Sequence, residues 1–350
     1  MLKYLKTVPQ LRSTAELIVC GNQSADMDSC CTALMTAYLS TTVDGRPSVP
    51  LIQIPRDDLR LRKDIVYVLH SLGIDESWLL FLDEMSLTES SKLFLVDHNA
   101  PTVPGEPVAV IDHHAIEDPN VDLSKCSPHR LVKSGSCMSA VVDFYAKNSS
   151  TGDLFRSDPV MAPLALSPIV QDTGNLTQKV EDTDVEAVKL LRDWNPSLSL
   201  FSPFTQFSEM KAEKKNLEGL SARDLLRKDY KQWGTIGISS LPKLFNKLAK
   251  KNYNIADALE AYAQESHLDV MIGLANGKRG PQEIYTRQLA IWGPNKFDVA
   301  AACPGLELQL EGVQPTLGGR QVRFYNQRNT AASRKQVAPD VKRAFSEYTK

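Results

Sequence analysis

The sequence predicts an α/β protein in which a parallel β-sheet domain is followed by a smaller α/β domain. Three observations predict this class. The chain has 350 residues, more than one ordinary domain contains and enough for two. In its first half, short apolar runs alternate with segments of helical periodicity, which favours a parallel sheet with helices on both faces. A stretch with prolines and serines then precedes a second set of such elements.

The strands of the first domain are predicted from apolar runs that stop at a turn or before an aspartate. They cover 16–20, 51–55, 93–96 and 108–111. Apolar residues at helical spacing predict helices over 29–39, 64–72, 139–147, 160–170 and 184–194. Because ligands of a parallel sheet bind beyond the carboxyl ends of its strands, chemistry is expected in the loops that follow them.

Residues 195–205 predict a linker, since they contain Pro196, Pro203 and several serines. The expected domains are therefore 1–194 and 206–350. In the second domain, the pattern predicts helices over 209–233 and 244–264, and strands over 235–239, 268–274, 288–292 and 322–325.

The net charge of −2 conceals an uneven distribution. Residues 206–350 contain 23 Lys or Arg and 15 Asp or Glu, a net of +8, so the remainder carries 17 of the 40 basic and 27 of the 42 acidic residues, a net of −10. An acidic half can bind cations and a basic half can bind anions, although two solvated surfaces that merely differ give the same counts.

Simple features also exclude several classes of protein. The longest largely apolar stretch, 161–170, is interrupted by prolines and is far shorter than the ~20 residues that cross a bilayer, so no membrane span is expected. Six irregularly spaced cysteines without a C-x-x-C pair argue against a disulfide scaffold or zinc ribbon and favour a reducing compartment. We predict a cytoplasmic protein, with a mitochondrial address in the basic residues of 1–14 as the alternative.

Four segments place carboxylates or imidazoles where apolar segments end: 21–29, 96–99, 111–114 and 170–174. The Asp-x-Asp pair of the first segment is, by itself, equally typical of a helix cap. Half of the six histidines, however, lie in the second and third segments, which makes coincidence a weaker explanation. Together the segments supply five candidate metal ligands: Asp26, Asp28, Asp97, His113 and Asp172.

Four carboxylates and one imidazole suit Mg²⁺ or Mn²⁺ better than structural zinc. Two divalent ions about 3.5–4 Å apart need a bridging carboxylate to offset their repulsion. Asp97 is the candidate bridge. The sequence therefore predicts a centre for two divalent cations.

The combined pattern resembles the DHH phosphoesterase superfamily, which has an Asp-x-Asp, an Asp-His-Asn, an Asp-His-His and a later Asp-Thr in this order. The basic Ser-Arg-Lys-Gln-Val-Ala-Pro run at 333–339 and Asp-Tyr-Lys at 229–231 are similar to its DHHA2 branch. Within that branch the sequence most resembles the fungal cytosolic exopolyphosphatases, with prune-like phosphoesterases and family II inorganic pyrophosphatases as relatives. The resemblance extends from Asn22 to Pro339.

The resemblance implies roles for the matching residues. Asp26 would bind the first ion, Asp28, His113 and Asp172 the second, and Asp97 both. Two further residues would act around them: Asp112 would orient His113 or His114, and His114 would contact phosphate and donate a proton. Three basic residues of the second domain would bind phosphate: Lys231, Arg334 and Lys335.

The same resemblance implies an active site in the cleft between the two domains. Hinge closure about the linker would then follow substrate entry. Other basic residues would extend a positive track for a longer polymer, although a solvated helix face explains the same pattern. These residues are Lys211, Lys214, Lys215, Arg223, Arg227 and Lys228.

Asn22 stands where family II pyrophosphatases carry a histidine ligand. An amide oxygen is a harder and weaker donor than imidazole, so the resemblance implies a first ion that is held less tightly and prefers Mg²⁺. Asn22 is included among the substrate-site residues on this ground. The alternative is a turn residue after Gly21.

These features predict a monomeric exopolyphosphatase that releases orthophosphate from the ends of linear polyphosphate by attack of a water activated by two metal ions. Pyrophosphate or a short nucleoside polyphosphate is the alternative substrate, and an inactive binding protein is the alternative class. Nucleic acid is not an expected partner, because phosphodiesterases of this superfamily usually carry a C-terminal GGGH motif. This chain has Gly-Gly-Arg at 318–320 and no histidine after His267.

Overall fold

The computed structural model describes residues 1–199 and 203–350 of the chain. It divides into two compact units, Met1–Asn216 and Leu217–Lys350. The predicted linker at 195–205 falls partly on 200–202, which lie outside the described residues, and its preceding part contains a 3₁₀ helix at Pro196–Ser199. The observed division lies beyond the predicted boundary, because a helix at Pro203–Lys215 contributes the fully buried Met210 to the core of the first unit.

The first unit contains a six-stranded sheet in which every pair of neighbouring strands is parallel. Its strands are β1 Leu17–Cys20, β2 Ser48–Ile52, β3 Leu80–Phe81, β4 Lys92–Val96, β5 Glu106–Asp112 and β6 His129–Leu131. All residues of β1 are buried, although successive side chains point to opposite faces, so both faces of the sheet are covered there. The predicted parallel sheet is confirmed.

The strand order is β3-β2-β1-β4-β5-β6. The chain continues from β1 towards one edge of the sheet and from β4 towards the other. The order therefore reverses between β1 and β4, and loops after these strands diverge to leave a crevice, which is where parallel sheets bind ligands.

Eight helices of the first unit lie within the described residues: α1 Leu2–Leu11, α2 Met27–Thr42, α3 Lys63–Ser71, α4 Cys137–Tyr145, α5 Ser149–Ser157, α6 Met161–Asp172, α7 Asp182–Trp194 and α8 Pro203–Lys215. Helix α2 is buried on nearly its whole surface, with 14 of its 16 residues inside. Its core position explains why polar residues such as Asp28 and Ser29 need hydrogen-bond partners there. The sequence did not predict α1, which contains Pro9, or α5, whose buried residues are few.

The second unit contains a mixed sheet in the order β11-β12-β10-β9-β8-β7, in which only β8 and β9 pair in parallel. Its strands are β7 Tyr230–Trp233, β8 Ile236–Leu241, β9 Val270–Arg279, β10 Ile284–Trp292, β11 Leu308–Pro315 and β12 Gln321–Gln327. Its helices are α9 Ala222–Arg227, α10 Phe245–Ala249, α11 Ile255–Glu265, α12 Val299–Ala302 and α13 Arg334–Tyr348. A second α/β unit is thus confirmed.

The single long helix predicted over 209–233 is wrong. Helix α8 ends at Lys215, Gly219 has a φ of +73°, and Ser221 begins α9 by accepting a hydrogen bond from the backbone N–H of Asp224. The basic residues proposed as a track are therefore divided: three lie on α8, two on α9, and Lys228 directly follows α9. Arg223 of α9 forms an ion pair with Glu265 of α11.

The helix predicted over 244–264 is also two helices. Asn252, at a φ of +63°, ends the first, and the side chain of Asn254 begins the second by accepting a bond from the N–H of Asp257. None of the described helices has the length and apolar character that a membrane crossing requires.

Candidate metal centre

Three loops at the carboxyl ends of β1, β4 and β5 bring the first candidate ligands together. Asp97 directly follows β4, Asp112 is the last residue of β5, and Asp26 begins α2 after β1. Because β4 pairs with both β1 and β5, these side chains leave the sheet at one edge. Asp97 has a φ of +61° and Ala25 a φ of +45°, left-handed conformations that cost roughly 1–3 kcal/mol and concentrate at functional sites.

His113 has the orientation that a metal ligand requires. Its Nδ1 lies 2.9 Å from the carbonyl oxygen of Ser134, an acceptor, so Nδ1 carries a proton. Its Nε2 lies 3.2 Å from Oδ1 of Asp97 and 4.0 Å from Oδ2 of Asp28. Three ligand atoms, two oxygens and one nitrogen, therefore face a common point.

Asp28 is held by the N-terminus of α4. Its Oδ1 accepts hydrogen bonds from the hydroxyl of Ser136 (2.7 Å) and the N–H of Met138 (3.2 Å), and its Oδ2 accepts one from the N–H of Cys137 (2.7 Å). Helix N-termini stabilise negative charge. Among the described residues, Oδ2 accepts one hydrogen bond, and its second lone pair is available to a cation.

Asp26 and Asp172 add two more carboxylates. Asp26 caps α2, and its Oδ1 accepts the N–H of Ser29 over 3.1 Å. Asp172 is the last residue of α6, not a residue after a strand, and its charge interacts with those of Asp28, Asp26 and Asp97. Four carboxylates thus share one electrostatic environment.

Burial and mutual repulsion raise the pKa values of Asp28 and Asp172, whereas the neighbouring histidines lower the pKa of Asp97. Burial, followed by the charge of Asp97, raises the pKa of Asp28 to about 6. Burial and the charge of Asp28 raise the pKa of Asp172 well above its usual range. For Asp97, burial alone would raise the pKa, but the hydrogen bond from His113 and the charges of both neighbouring histidines outweigh burial and lower it. Divalent cations would relieve this repulsion, so the donor set fits Mg²⁺ or Mn²⁺.

A second set of contacts orients His114. Its Nδ1 lies 2.8 Å from Oδ1 of Asp112, which leaves Nε2 as the nitrogen for a ligand. Asp112 is completely buried, and its Oδ2 accepts a hydrogen bond from Nδ2 of Asn99 over 2.7 Å. Asp112 was expected to orient His113 or His114. Its carboxylate contacts the ring of His114, whereas His113 donates its backbone N–H to Oδ1 of Asp112 over 2.7 Å.

One ligand atom from each of four residues lies within 4.8 Å of the others: Asp97, Asp112, His113 and His114. The four belong to the Asp-His-Asn and Asp-His-His motifs. Together with the contact of His113 to Asp28, this arrangement places both motifs and the Asp-x-Asp segment at one centre.

The environment of Asn22 differs from the expected one. Its amide oxygen accepts hydrogen bonds from the N–H (2.9 Å) and hydroxyl (2.6 Å) of Ser24, so both lone pairs are used within the loop. Its Nδ2 donates to Oδ2 of Asp97 over 2.7 Å. Asn22 therefore holds Asp97, and its amide oxygen does not point towards the ligand atoms of the centre.

Sequence reasoning missed several residues that hold the centre. Arg62, 3% exposed, donates to the backbone carbonyls of Ser24 (2.8 Å), Ala25 (3.2 Å) and Asp58 (3.1 Å) and so fixes the loop that carries the Asp-x-Asp pair. Asn99, the last residue of the Asp-His-Asn motif, donates to Asp112 and to the backbone carbonyl of Ala115, a role that the motif alone does not predict. The Asp-His-Asn motif signals Asn99, whereas nothing in the local sequence signals Arg62, because the loop of Ser24 and Ala25 that it holds is distant in the chain.

The proposed phosphate-binding residues lie in the second unit. Lys231 is a buried residue of β7, and Lys335 is an exposed residue of α13. Arg334, the first residue of α13, donates to the backbone carbonyl of Asp229 over 2.9 Å and pairs with its carboxylate over 2.7 Å. Arg334 is thus held by two contacts to the residue that precedes β7.

Comparisons with known proteins agree with these motifs. A family model described as the DHHA2 domain matches residues 208–344. The Schizosaccharomyces pombe protein named "Putative exopolyphosphatase" is 33% identical over 349 residues, which cover 92% of this chain and 88% of that protein. Exopolyphosphatase PRUNE1 of Homo sapiens is 30% identical over 361 residues, which cover 95% of this chain and 76% of the human protein.

The fold and the site define an α/β protein with a carboxylate- and histidine-rich cluster that could bind metal ions. The relatives make the assignment more specific: the chain belongs to the DHH phosphoesterase superfamily, in the DHHA2 branch that includes the exopolyphosphatases. Among solved structures, an exopolyphosphatase-related protein from Bacteroides fragilis is 12% identical, with a TM-score of 0.43 over 99% of this chain and 97% of that one.

Proposed function

We propose that the protein is an exopolyphosphatase that releases orthophosphate from the ends of linear polyphosphate. The observation that carries the proposal is the convergence of Asp28, Asp97 and His113. Nε2 of His113 lies 3.2 Å from Oδ1 of Asp97 and 4.0 Å from Oδ2 of Asp28. His114, oriented by Asp112, lies beside them. Relatives whose names contain exopolyphosphatase support the choice of substrate.

The proposed centre holds two divalent ions. Asp26, Asp28, His113 and Asp172 are the proposed ligands, with Asp97 shared. When bound, such ions supply positive charge for phosphoryl oxygens and lower the pKa of water towards neutrality. The four carboxylates of this chain supply the negative charge that selects divalent cations of this kind.

The protein's own residues have separate proposed tasks. The Nδ1 contact to Asp112 fixes the ring of His114, so Nε2 can hold and deliver a proton to the oxygen of the leaving polyphosphate. In the second unit, Arg334 presents a planar fork suited to two phosphate oxygens, while Lys231 and Lys335 supply point charges. The partly exposed contacts of Arg334 to Asp229 would hold that fork in place.

The test is phosphate release from polyphosphates of several lengths and from pyrophosphate, with Mg²⁺ or Mn²⁺ and with chelator. We expect release from long polyphosphate that chelator abolishes. Asp97→Asn should lower turnover by at least about 10²-fold, because it removes the shared ligand charge. The matched control is Asp122→Asn, a change at an exposed residue whose carboxylate accepts the backbone N–H of Ser124.

Two results would contradict the proposal. Full turnover of Asp97→Asn would show that the carboxylate cluster is not the active centre. Faster release from pyrophosphate than from polyphosphate would keep the centre and replace the substrate with the alternative one.

The proposal also includes a cytoplasmic location, supported by six cysteines that are all buried and free of disulfides.

A further inference from the structure

Ser29 connects two of the proposed metal ligands. It is the third residue of α2 and is 1% exposed. Its backbone N–H donates to Oδ1 of Asp26 over 3.1 Å, and its hydroxyl donates to Oδ2 of Asp97 over 2.5 Å. One residue therefore joins the loop after β1 to the loop after β4.

The direction of the Ser29 hydroxyl is fixed by its other partner. Oγ accepts the backbone N–H of Asn22 over 3.1 Å, so the single hydroxyl proton is directed to the carboxylate of Asp97. The position of Ser29 is fixed as well, because a Cβ at Gly21 would meet the carbonyl oxygen of Ser29 at 2.7 Å and its Cβ at 2.8 Å. The end of β1 thus lies directly against this turn of α2.

These contacts give the two oxygens of Asp97 different surroundings. Oδ2 accepts from the hydroxyl of Ser29 and from Nδ2 of Asn22 (2.7 Å), so its lone pairs are used by the protein. Oδ1 faces Nε2 of His113 at 3.2 Å and Nδ1 of His114 at 3.6 Å. Only Oδ1 is directed at the centre.

We propose that Ser29 is a positioning residue of the metal centre, which anchors Oδ2 of Asp97 so that Oδ1 alone is presented to divalent cations. Through its N–H it holds Asp26 in register with Asp97. The inference rests on the metal-binding part of the proposed function. It predicts that the hydroxyl of Ser29 acts on metal affinity without contacting a metal.

The experiment compares two buried serines of the same helix. Ser29→Ala removes the contact to Asp97, whereas Ser40→Ala removes a hydroxyl that accepts a bond from Ser48 (3.0 Å) near the other end of α2. Mn²⁺ binding is measured by calorimetry without substrate, and folding by circular dichroism. We expect Ser29→Ala to weaken Mn²⁺ affinity by about 10–100-fold and Ser40→Ala to change it by less than about twofold.

A conservative variant separates the hydroxyl from its packing. Ser29→Thr keeps the donor and should bind Mn²⁺ at least about fivefold more tightly than Ser29→Ala. A folded Ser29→Ala with wild-type affinity, or equal losses in the alanine and threonine variants, would overturn the inference. Should Ser29→Ala not fold, Ser29→Cys replaces it, because a thiol is a weaker hydrogen-bond donor than a hydroxyl. The Ser29→Cys protein must then bind Mn²⁺ less tightly than the Ser29→Thr protein. A wild-type protein that binds no Mn²⁺ would instead contradict the proposed function.

Discussion

Acidification should weaken metal binding through Asp28. Burial and the nearby charge of Asp97 raise the pKa of this carboxyl from 3.8 to about 6. A cation must displace the proton, so affinity depends on the ionised fraction, which is about ten-elevenths at pH 7 and about one-eleventh at pH 5. The dissociation constant for Mn²⁺ should therefore rise about tenfold between these pH values, and further if Asp172, whose pKa is also raised, takes part.

The raised pKa of Asp28 has the opposite effect on the stability of the metal-free protein, which falls as the pH rises. A carboxyl whose folded pKa is raised contributes stability below its unfolded pKa of 3.8 and loses it as the pH rises through about 6. The shift corresponds to about 3 kcal/mol. Asp97 and Asp112 have lowered pKa values, so the stability that they contribute is lost only below pH 3.8. Between pH 5 and 7, the change in stability therefore comes from Asp28 and Asp172, whose pKa values are raised.

Calorimetric titration with Mn²⁺ at pH 5, 6, 7 and 8 measures the first effect, and urea unfolding with chelator measures the second. Asp28→Asn is the control, because it removes this titration and leaves every other group in place. The variant should bind Mn²⁺ more weakly with a smaller pH slope. Equal Mn²⁺ affinity of the wild type at pH 5 and 7, or an equal slope in the variant, would refute the reasoning.

Three further predictions concern residues that hold the site or the fold. Asp112→Asn should lower phosphate release about 10–100-fold by freeing the ring of His114, and unchanged turnover would contradict that role. Arg62→Met should lower the free energy of unfolding by at least about 3 kcal/mol, measured in urea, because three buried carbonyls lose a donor; a loss below 1 kcal/mol would count against it. Asn252→Gly should raise the free energy of unfolding by up to about 1 kcal/mol, since glycine adopts the φ of +63° without strain, and a lower urea midpoint would speak against this.

The placement of Asp97 and of the Asp-His-His motif could be predicted because it follows from a general property of parallel sheets. Apolar runs ended at these residues, and neighbouring parallel strands bring their carboxyl ends to one edge. Asp112 could be predicted as a hydrogen-bond partner of His113 or His114, because it lies next to them in the sequence. The choice between the two histidines depends on loop conformation, which the strand pattern does not determine.

The remaining features depend on contacts between distant residues or on single turns. Ser136 and Arg62 hold the Asp-x-Asp loop from positions 108 and about 38 residues away, so no local pattern signals them. The prediction of one long helix across Gly219 was wrong, because the helical spacing of apolar residues continues through a glycine whose left-handed backbone ends the helix. Asn22 was assigned by analogy to a ligand, whereas its amide oxygen is used by Ser24.

The contacts of Asp28 and Asp97 show how the fold can concentrate negative charge without neutralising it. The N–H groups of α4 and the hydroxyl of Ser136 orient Asp28, and the amide of Asn22 and the hydroxyl of Ser29 orient Asp97. All of these donors are neutral, so they fix the directions of the carboxylates and leave most of the repulsion between them in place. Burial, together with that residual repulsion, raises the pKa of Asp28, and a divalent cation is the partner that removes the repulsion most effectively. Orientation by neutral donors therefore makes the site both preformed and selective for doubly charged ions.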